Sequence, residues 1–159
     1  MALIDYLIDQ TALDWPELLR PWHWTLPPEF TLWVVNRFGD PFIVPPDGTI
    51  HVLRTDSGRL ERLADSREHF AELLDLGNNA NDWFLVPLVD RLVTAGLTLG
   101  HGQCYGFKTP PVLGGDYVPS NIAIYSLSEH LAFLAYFHQQ IKDLPDGASV
   151  TIRLTGESA

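Results

Sequence analysis

Residues 31–63 read TLWVVNRFGDPFIVPPDGTIHVLRTDSGRLERL, and they carry the strongest structural signal in the sequence. Three clusters of turn-forming residues, at positions 39–41, 45–48 and 56–58, separate its apolar runs. In such clusters Pro presets φ, Gly tolerates positive φ, and Asp can hydrogen-bond to its own backbone. The pattern therefore predicts a β-meander, in which residues 32–35 are apolar on both faces, as in an interior strand.

The segment before the meander predicts one or two short helices between Leu3 and Leu19. Thr11 can cap a helix, and Trp15-Pro16 suits a first helical turn. A proline-bounded connector with Trp22 and Trp24 follows, and it is too rich in proline for regular structure.

The segment after the meander alternates between helical and extended patterns. Ser66 can cap a short helix, and apolar spacing predicts a second helix from about residue 82 to residue 95. Residues 97–117 read as short extended pieces joined by turns, and a strand is expected near residues 122–125. Ser126 and Glu129 match a capping box, which predicts a long helix over residues 127–142 before a final strand at residues 150–154.

Together these elements predict an α+β fold, with an antiparallel-rich sheet built from the meander and the later strands and packed against helices. No internal repeat or linker is visible, so we expect one domain over residues 1–159. Residues 1–27 form its short helical and Pro/Trp-rich N-terminal segment.

The composition limits the classes of partner. Twenty acidic residues against ten basic ones give a formal charge of −10, which disfavours nucleic acid and favours a basic protein partner. The start of the chain lacks the basic region of a signal peptide, and no apolar run is long enough for a membrane span. With one cysteine, and so no internal disulfide, the sequence predicts a cytoplasmic protein.

The sequence holds no strong catalytic or metal-binding pattern. Cys104 with His101 could form a nucleophile and base pair, although a lone cysteine among aromatic residues is typical of a core. His130 and His138 lie about 12 Å apart along the predicted helix, too far to bind one metal ion. The glycines near His101 and at positions 114 and 115 lack the phosphate-loop and dinucleotide fingerprints. We expect no enzyme, no metal and no cofactor.

The segment CYGFKTPPVLGGDY at residues 104–117, with Asn121-Ile122, His130, His138-Gln139 and residues 142–147, resembles a known family. It is similar to the C-terminal domain of type VI secretion DNase-immunity proteins. With Phe38-Gly39-Asp40 and neighbouring meander residues, the resemblance covers about residues 28–154. Some members of this bacterial family bind and neutralise a cognate toxin, so the resemblance implies a toxin partner and no catalytic residues.

The sequence thus predicts an immunity-type protein that occludes a toxin's active surface. The candidate partner-binding residues are the polar members of the family pattern and two aromatic residues of the proline-bounded connector: Lys108, Asp116, Tyr117, Trp22 and Trp24. The alternative is a small-molecule or glycan-binding domain that uses Trp22, Trp24 and the Gly-rich loop, and a thiol hydrolase based on Cys104 and His101 is a third hypothesis. The sequence does not predict an oligomeric state.

Overall fold

The structure, a computed structural model, describes residues 2–144. The predicted meander is confirmed as a four-stranded antiparallel sheet in the order β1-β2-β3-β4. Its strands are β1 (Thr31–Val35), β2 (Pro41–Val44), β3 (Ile50–Arg54) and β4 (Arg59–Ala64).

The turn between β2 and β3 shows the predicted chemistry. The Gly48 N–H donates to the Pro45 carbonyl over 3.0 Å, and Gly48 lies at φ +82°. Asp47 Oδ1 accepts from the Thr49 N–H over 3.1 Å. These local bonds fix the pairing of β2 with β3, because the turn sets the register of a hairpin.

Three α-helices lie between the meander and residue 103, where the sequence predicted two. Ser66 caps α2 (Arg67–Leu74) by accepting from the His69 N–H over 3.0 Å, as expected. The helix expected over residues 82–95 is instead divided into α3 (Asn79–Phe84) and α4 (Val86–Thr94) by Leu85, which has φ +51°. Pro87 explains the break, because it cannot donate to the carbonyl of Trp83 and its ring would clash there. The Asn36 side chain donates to that carbonyl over 3.0 Å instead.

The later strands β5 (Gln103–Phe107) and β6 (Ile122–Ser126) pair with each other as a separate antiparallel sheet. They do not extend the meander, and the N-terminal segment occupies the outer edge of β1. There the Ile8 N–H donates to the Val35 carbonyl over 2.8 Å. The Tyr105 N–H of β5 donates to the Arg37 carbonyl over 2.9 Å and so joins the two sheets. The predicted α+β class is confirmed.

The long helix α5 (Leu127–Ile141) begins at the predicted position, but its capping box does not form. Ser126 Oγ lies 3.2 Å from Ser128 Oγ and makes no side-chain capping bond to the helix. The Leu127 N–H is satisfied by the Gly102 carbonyl over 2.9 Å, at the turn before β5. A carbonyl from outside the helix therefore accepts a hydrogen bond from the first N–H group of α5.

The N-terminal segment contains the predicted short helices, but a different residue caps the second one. A 3-10 turn spans Leu3–Tyr6, and α1 (Trp15–Leu19) continues into a 3-10 turn at Arg20–Trp22. Asp14 accepts from the Glu17 N–H over 3.2 Å and caps α1, which is the role suggested for Thr11.

Both faces of the meander sheet are buried, and each supports its own apolar cluster. Phe42 and Val52 lie in the first cluster, with the aromatic residues of α2 and α3. Ile43 and Leu53 lie in the second cluster, with α1 and α5. Burying one such side chain stabilises a fold by about 2 kcal/mol, so both helical layers depend on the sheet.

The strand expected at residues 150–154 lies outside the described residues. Between residues 2 and 144, no helix has the length and hydropathy needed to cross a bilayer.

The turn before β4 provides a test of the packing. Gly58 lies at φ +75°, and a Cβ there would lie 2.8 Å from His138 Cβ of α5. Gly48 has a similar φ of +82° with no atom within 4 Å. We expect Gly48→Ala to cost about 1 kcal/mol of unfolding free energy from backbone strain. Gly58→Ala should cost about 1–3 kcal/mol more, because it adds the clash.

Urea denaturation of both variants measures this difference. Equal losses in the two proteins would show that the β3–β4 turn does not pack tightly on α5.

Candidate functional site

An open groove with a volume of about 830 Å³ lies beside the β3–β4 turn. We call it the main groove, and its walls come from the end of β3, the start of β4, α3, α4 and the loop after β5. Its charged and aromatic lining residues are Asp40, Arg54, Asp56, Arg59, Glu61, Asp82, Arg91 and Tyr117. The groove combines charged and apolar surface, which is the composition of many protein interfaces.

Asn121 organises the loop of residues 108–121 that forms one wall of the main groove. Its Oδ1 accepts from the Thr109 N–H over 2.9 Å. Its Nδ2 donates to the carbonyls of Thr109 and Asp116 over 3.0 Å and 2.9 Å. One side chain thereby fixes both ends of the loop, which explains the presence of Asn121 in the family pattern.

Tyr117 is held against the β3–β4 turn. Its hydroxyl donates to Asp56 Oδ2 over 2.5 Å, and its ring meets Phe107 edge to face at a centroid distance of 4.9 Å. Burial and the Asp56 carboxylate raise the pKa of Tyr117, so the hydroxyl stays protonated. Tyr117 still keeps 49% of its surface exposed.

The other two polar candidates of the family pattern, Lys108 and Asp116, are exposed on the same loop. Their backbone groups bond to Asn121, since the Lys108 N–H donates to the Asn121 carbonyl over 2.7 Å. The structure thus brings Lys108, Asp116 and Tyr117 together on one ordered loop. Whether they contact a partner stays a prediction.

The two tryptophan candidates lie elsewhere, against α5 in the second apolar cluster. Trp22 has 0% exposure, so it has no surface with which to contact a partner in this structure. Trp24 is half-buried, stacks on Trp22 at a centroid distance of 5.7 Å, and carries the Lys142 ammonium 5.5 Å from its ring centroid. The proline-bounded connector folds inward because its aromatic rings fill the space beneath α5.

Sequence reasoning missed the arginines of the main groove. Arg54 is the most buried, with a side chain 11% exposed, and it pairs with Asp82 at 3.1 Å and Glu61 at 3.5 Å. Its Nη1 also donates to the Asp82 carbonyl over 3.0 Å. Arg59 and Arg91 are exposed in the same groove. No sequence spacing relates these residues, because the tertiary fold alone brings β3, β4, α3 and α4 together.

Asp40 is a buried carboxylate at the border between the main groove and a small cavity of about 20 Å³. Its Oδ1 accepts from the Thr55 N–H over 2.9 Å and the Thr55 hydroxyl over 2.6 Å, and its Oδ2 accepts from Asn36 Nδ2 over 3.0 Å. Burial, with a smaller contribution from Asp56, raises the pKa of Asp40 to about 6. The carboxylate is therefore ionised at neutral pH.

His130 lines the same small cavity in its neutral form. Its ring stacks on Tyr125 at a centroid distance of 4.5 Å, and burial lowers its pKa to about 4. Gly106 provides the room, because a Cβ at that position would overlap the imidazole. This close approach accounts for a glycine and a histidine that both occur in the family pattern.

The cysteine that suggested a hydrolase lies in the core. Cys104 has 0% exposure, and burial and Asp40 raise the pKa of its thiol to about 12. His101 is exposed, and its Nε2 hydrogen-bonds to the Thr11 carbonyl over 2.6 Å. A protonated, buried thiol is a poor nucleophile, so this pair does not form an activated catalytic site here.

The family resemblance is confirmed over residues 64–138, which match the family described as T6SS immunity protein Tdi1, C-terminal. The match includes α2–α4, both strands of the second sheet, the loop of residues 108–121 and α5 as far as residue 138. The meander residues quoted for the resemblance, such as Phe38-Gly39-Asp40, lie outside the matched residues. No curated protein matches the chain.

Asp40 makes the stability of the fold depend on pH. Its pKa of about 6 in the folded chain exceeds the unfolded value near 3.9, so the folded state binds the extra proton between these values. The contribution of Asp40 to the free energy of unfolding therefore increases as pH falls from about 6 toward about 4, and it decreases again as pH rises through 6. We expect this contribution to grow by about 1 kcal/mol from pH 7 to pH 5.

The test compares denaturation of the wild type and Asp40→Asn at both pH values. Other titrating groups are common to the two proteins, so the difference between their unfolding free energies isolates Asp40. An Asp40→Asn protein with the wild-type pH dependence would contradict this assignment.

Variants of Asn121 test, in the free protein, whether its side-chain hydrogen bonds order the loop of residues 108–121. Asn121→Asp keeps the acceptor for the Thr109 N–H but loses both donors, whereas Asn121→Ala loses all three side-chain bonds. We expect amide exchange at Thr109 to accelerate strongly in Asn121→Ala and less in Asn121→Asp, because the amide loses its acceptor only in the alanine variant. Hydrogen exchange measured by NMR gives both rates, and unchanged exchange in both variants would show that the loop is ordered by other contacts.

Proposed function

We propose that this protein is an immunity protein that binds a cognate toxin and neutralises it by occluding the toxin's active surface. The match of residues 64–138 to a type VI secretion immunity domain is the observation that carries the proposal. We further propose that the toxin is a DNase, that its surface is basic, and that the immunity protein acts in the cytoplasm without catalysing a reaction.

The geometry of the loop of residues 108–121 supports a binding role. It presents Tyr117 together with Val112 and Leu113, which are 46% and 41% exposed. Tyrosine is among the residues that contribute most to interface hot spots, and apolar neighbours exclude water around it. A loop already fixed by Asn121 can present these side chains without first being ordered by the partner.

The charge of the chain supports a basic toxin. A formal charge of −10 attracts a basic protein over a distance and raises its association rate. The same field repels the phosphate backbone of nucleic acid, so a protein partner is favoured over DNA.

The glycan-binding alternative has less structural support. It relied on Trp22, which is buried, and on the Gly-rich loop near His101, which lines a different groove with Arg37 and Leu99. Stacking on a sugar needs an open aromatic face, and the ring of Trp24 already contacts Trp22 and Lys142. A thermal shift with a small-molecule panel, without binding of a protein partner, would favour this alternative.

Co-expression tests the proposal, because immunity proteins are usually encoded beside their targets. We expect the wild type to protect cells from the toxic product of the adjacent open reading frame and to retain an inactive form of it in a pull-down. Tyr117→Ala should weaken affinity about tenfold or more and reduce protection, because a hot-spot tyrosine contributes this much.

Tyr136→Ala is the matched control. Tyr136 lies on α5 with 46% exposure, similar to the 49% of Tyr117. Urea denaturation of both variants checks that neither effect comes from unfolding. If the wild type neither retains the product nor protects cells, the proposal fails. If only Tyr136→Ala weakens binding, the interface lies on α5 instead.

A further inference from the structure

The acidic residues of the main groove are largely engaged within the protein. Asp82 and Glu61 both pair with Arg54, at 3.1 Å and 3.5 Å. The Asp56 carboxylate accepts the hydroxyl of Tyr117 over 2.5 Å. These carboxylates are therefore partly neutralised or hydrogen-bonded before any partner arrives.

Two arginines of the same groove are not engaged in this way. Arg59 begins β4, and Arg91 lies in the last turns of α4. Both are exposed, and neither forms an ion pair with any residue between 2 and 144. The chain has twice as many acidic as basic residues, so its net charge is negative. The main groove nevertheless contains two positively charged guanidinium groups that form no ion pair within residues 2–144.

Apolar surface lies between these charges. Leu85, Pro87, Pro111 and Val112 line the main groove, and Val112 keeps 46% of its surface exposed. Arginine and tyrosine around an apolar centre are the residue types that dominate protein interfaces. Guanidinium groups also bind carboxylates in a bidentate geometry that lysine cannot reproduce.

We propose that the main groove binds a carboxylate-bearing segment of the toxin, whose Asp or Glu side chains pair with Arg59 and Arg91. An apolar side chain of the same segment packs against Val112 and Tyr117. This inference rests on the proposed function and specifies its contact surface. It is compatible with a basic toxin, because net charge governs attraction over a distance whereas the groove makes local contacts.

A phosphate backbone would also pair with arginines, but the groove favours a protein segment. Phosphates that reach Arg59 and Arg91 would approach Asp56, Glu61 and Asp82 along the same walls. A protein segment can place single carboxylates opposite the two arginines and apolar groups elsewhere, which a uniformly charged backbone cannot do.

Charge reversal at the two arginines tests the groove. Because Arg59 and Arg91 are exposed and form no ion pair in the described part of the chain, the double variant R59E/R91E should fold normally. We expect it to bind the inactive product of the adjacent gene roughly tenfold or more weakly than the wild type.

The control R20E makes a charge reversal on another surface. Arg20 lies beside α1, pairs with Glu17, and has a side chain 68% exposed. We expect it to retain wild-type affinity. As a second arm, changing exposed Asp or Glu residues of the toxin to Lys should restore binding to R59E/R91E and weaken binding to the wild type.

The outcomes separate this inference from the proposed function. If the wild type does not bind the toxin, the proposed function fails and the groove assignment fails with it. If R59E/R91E binds as well as the wild type, the groove assignment alone is wrong. If the wild type retains a DNA duplex and R59E/R91E does not, the groove binds nucleic acid and the toxin-segment assignment is overturned.

Discussion

The buried hydrogen bonds of Asn36, Asp40 and Thr55 join the β1–β2 turn, the end of β3 and the end of α3. Asn36 Oδ1 accepts from the N–H groups of Phe38 and Asp40, each over 3.0 Å, and closes the turn between β1 and β2. Its Nδ2 donates to Asp40 and to the Trp83 carbonyl at the end of α3. Asp40 in turn binds Thr55 at the end of β3.

Because of this network, the elements around the main groove share one set of buried contacts. A buried polar group without a partner costs about 1–3 kcal/mol, so no member can be removed without leaving others unsatisfied. The cost of keeping a carboxylate at this position is visible in the raised pKa of Asp40. The bonds hold the end of β3 and the break between α3 and α4 in a fixed relation, and both border the groove.

The sequence predicted those parts of the fold whose causes are local. The Pro45–Gly48 turn and the Ser66 cap are determined by residues within a few positions of one another, and both appear as expected. Pro87 causes the break at Leu85, but the Trp83 carbonyl left free there is satisfied by Asn36, which lies 47 positions earlier and which no local pattern relates to it. The separation of β5 and β6 from the meander is likewise not indicated by any local pattern. The functional candidates divide in the same way: Tyr117 was recognisable within its motif, whereas Arg59 and Arg91 become neighbours only through tertiary contacts.

The three side-chain bonds of Asn121 have a consequence for how long a complex would last. A mobile loop loses conformational entropy when a partner immobilises it, and that loss is subtracted from the affinity. Here three side-chain bonds already order the loop in the free chain, so in the proposed complex little contact energy would be spent on ordering it. Since affinity differences among related complexes lie mostly in the dissociation rate, the benefit of such preorganisation is a long residence time. An inhibitor of a lethal enzyme needs this property, because each release exposes the cell to the active enzyme.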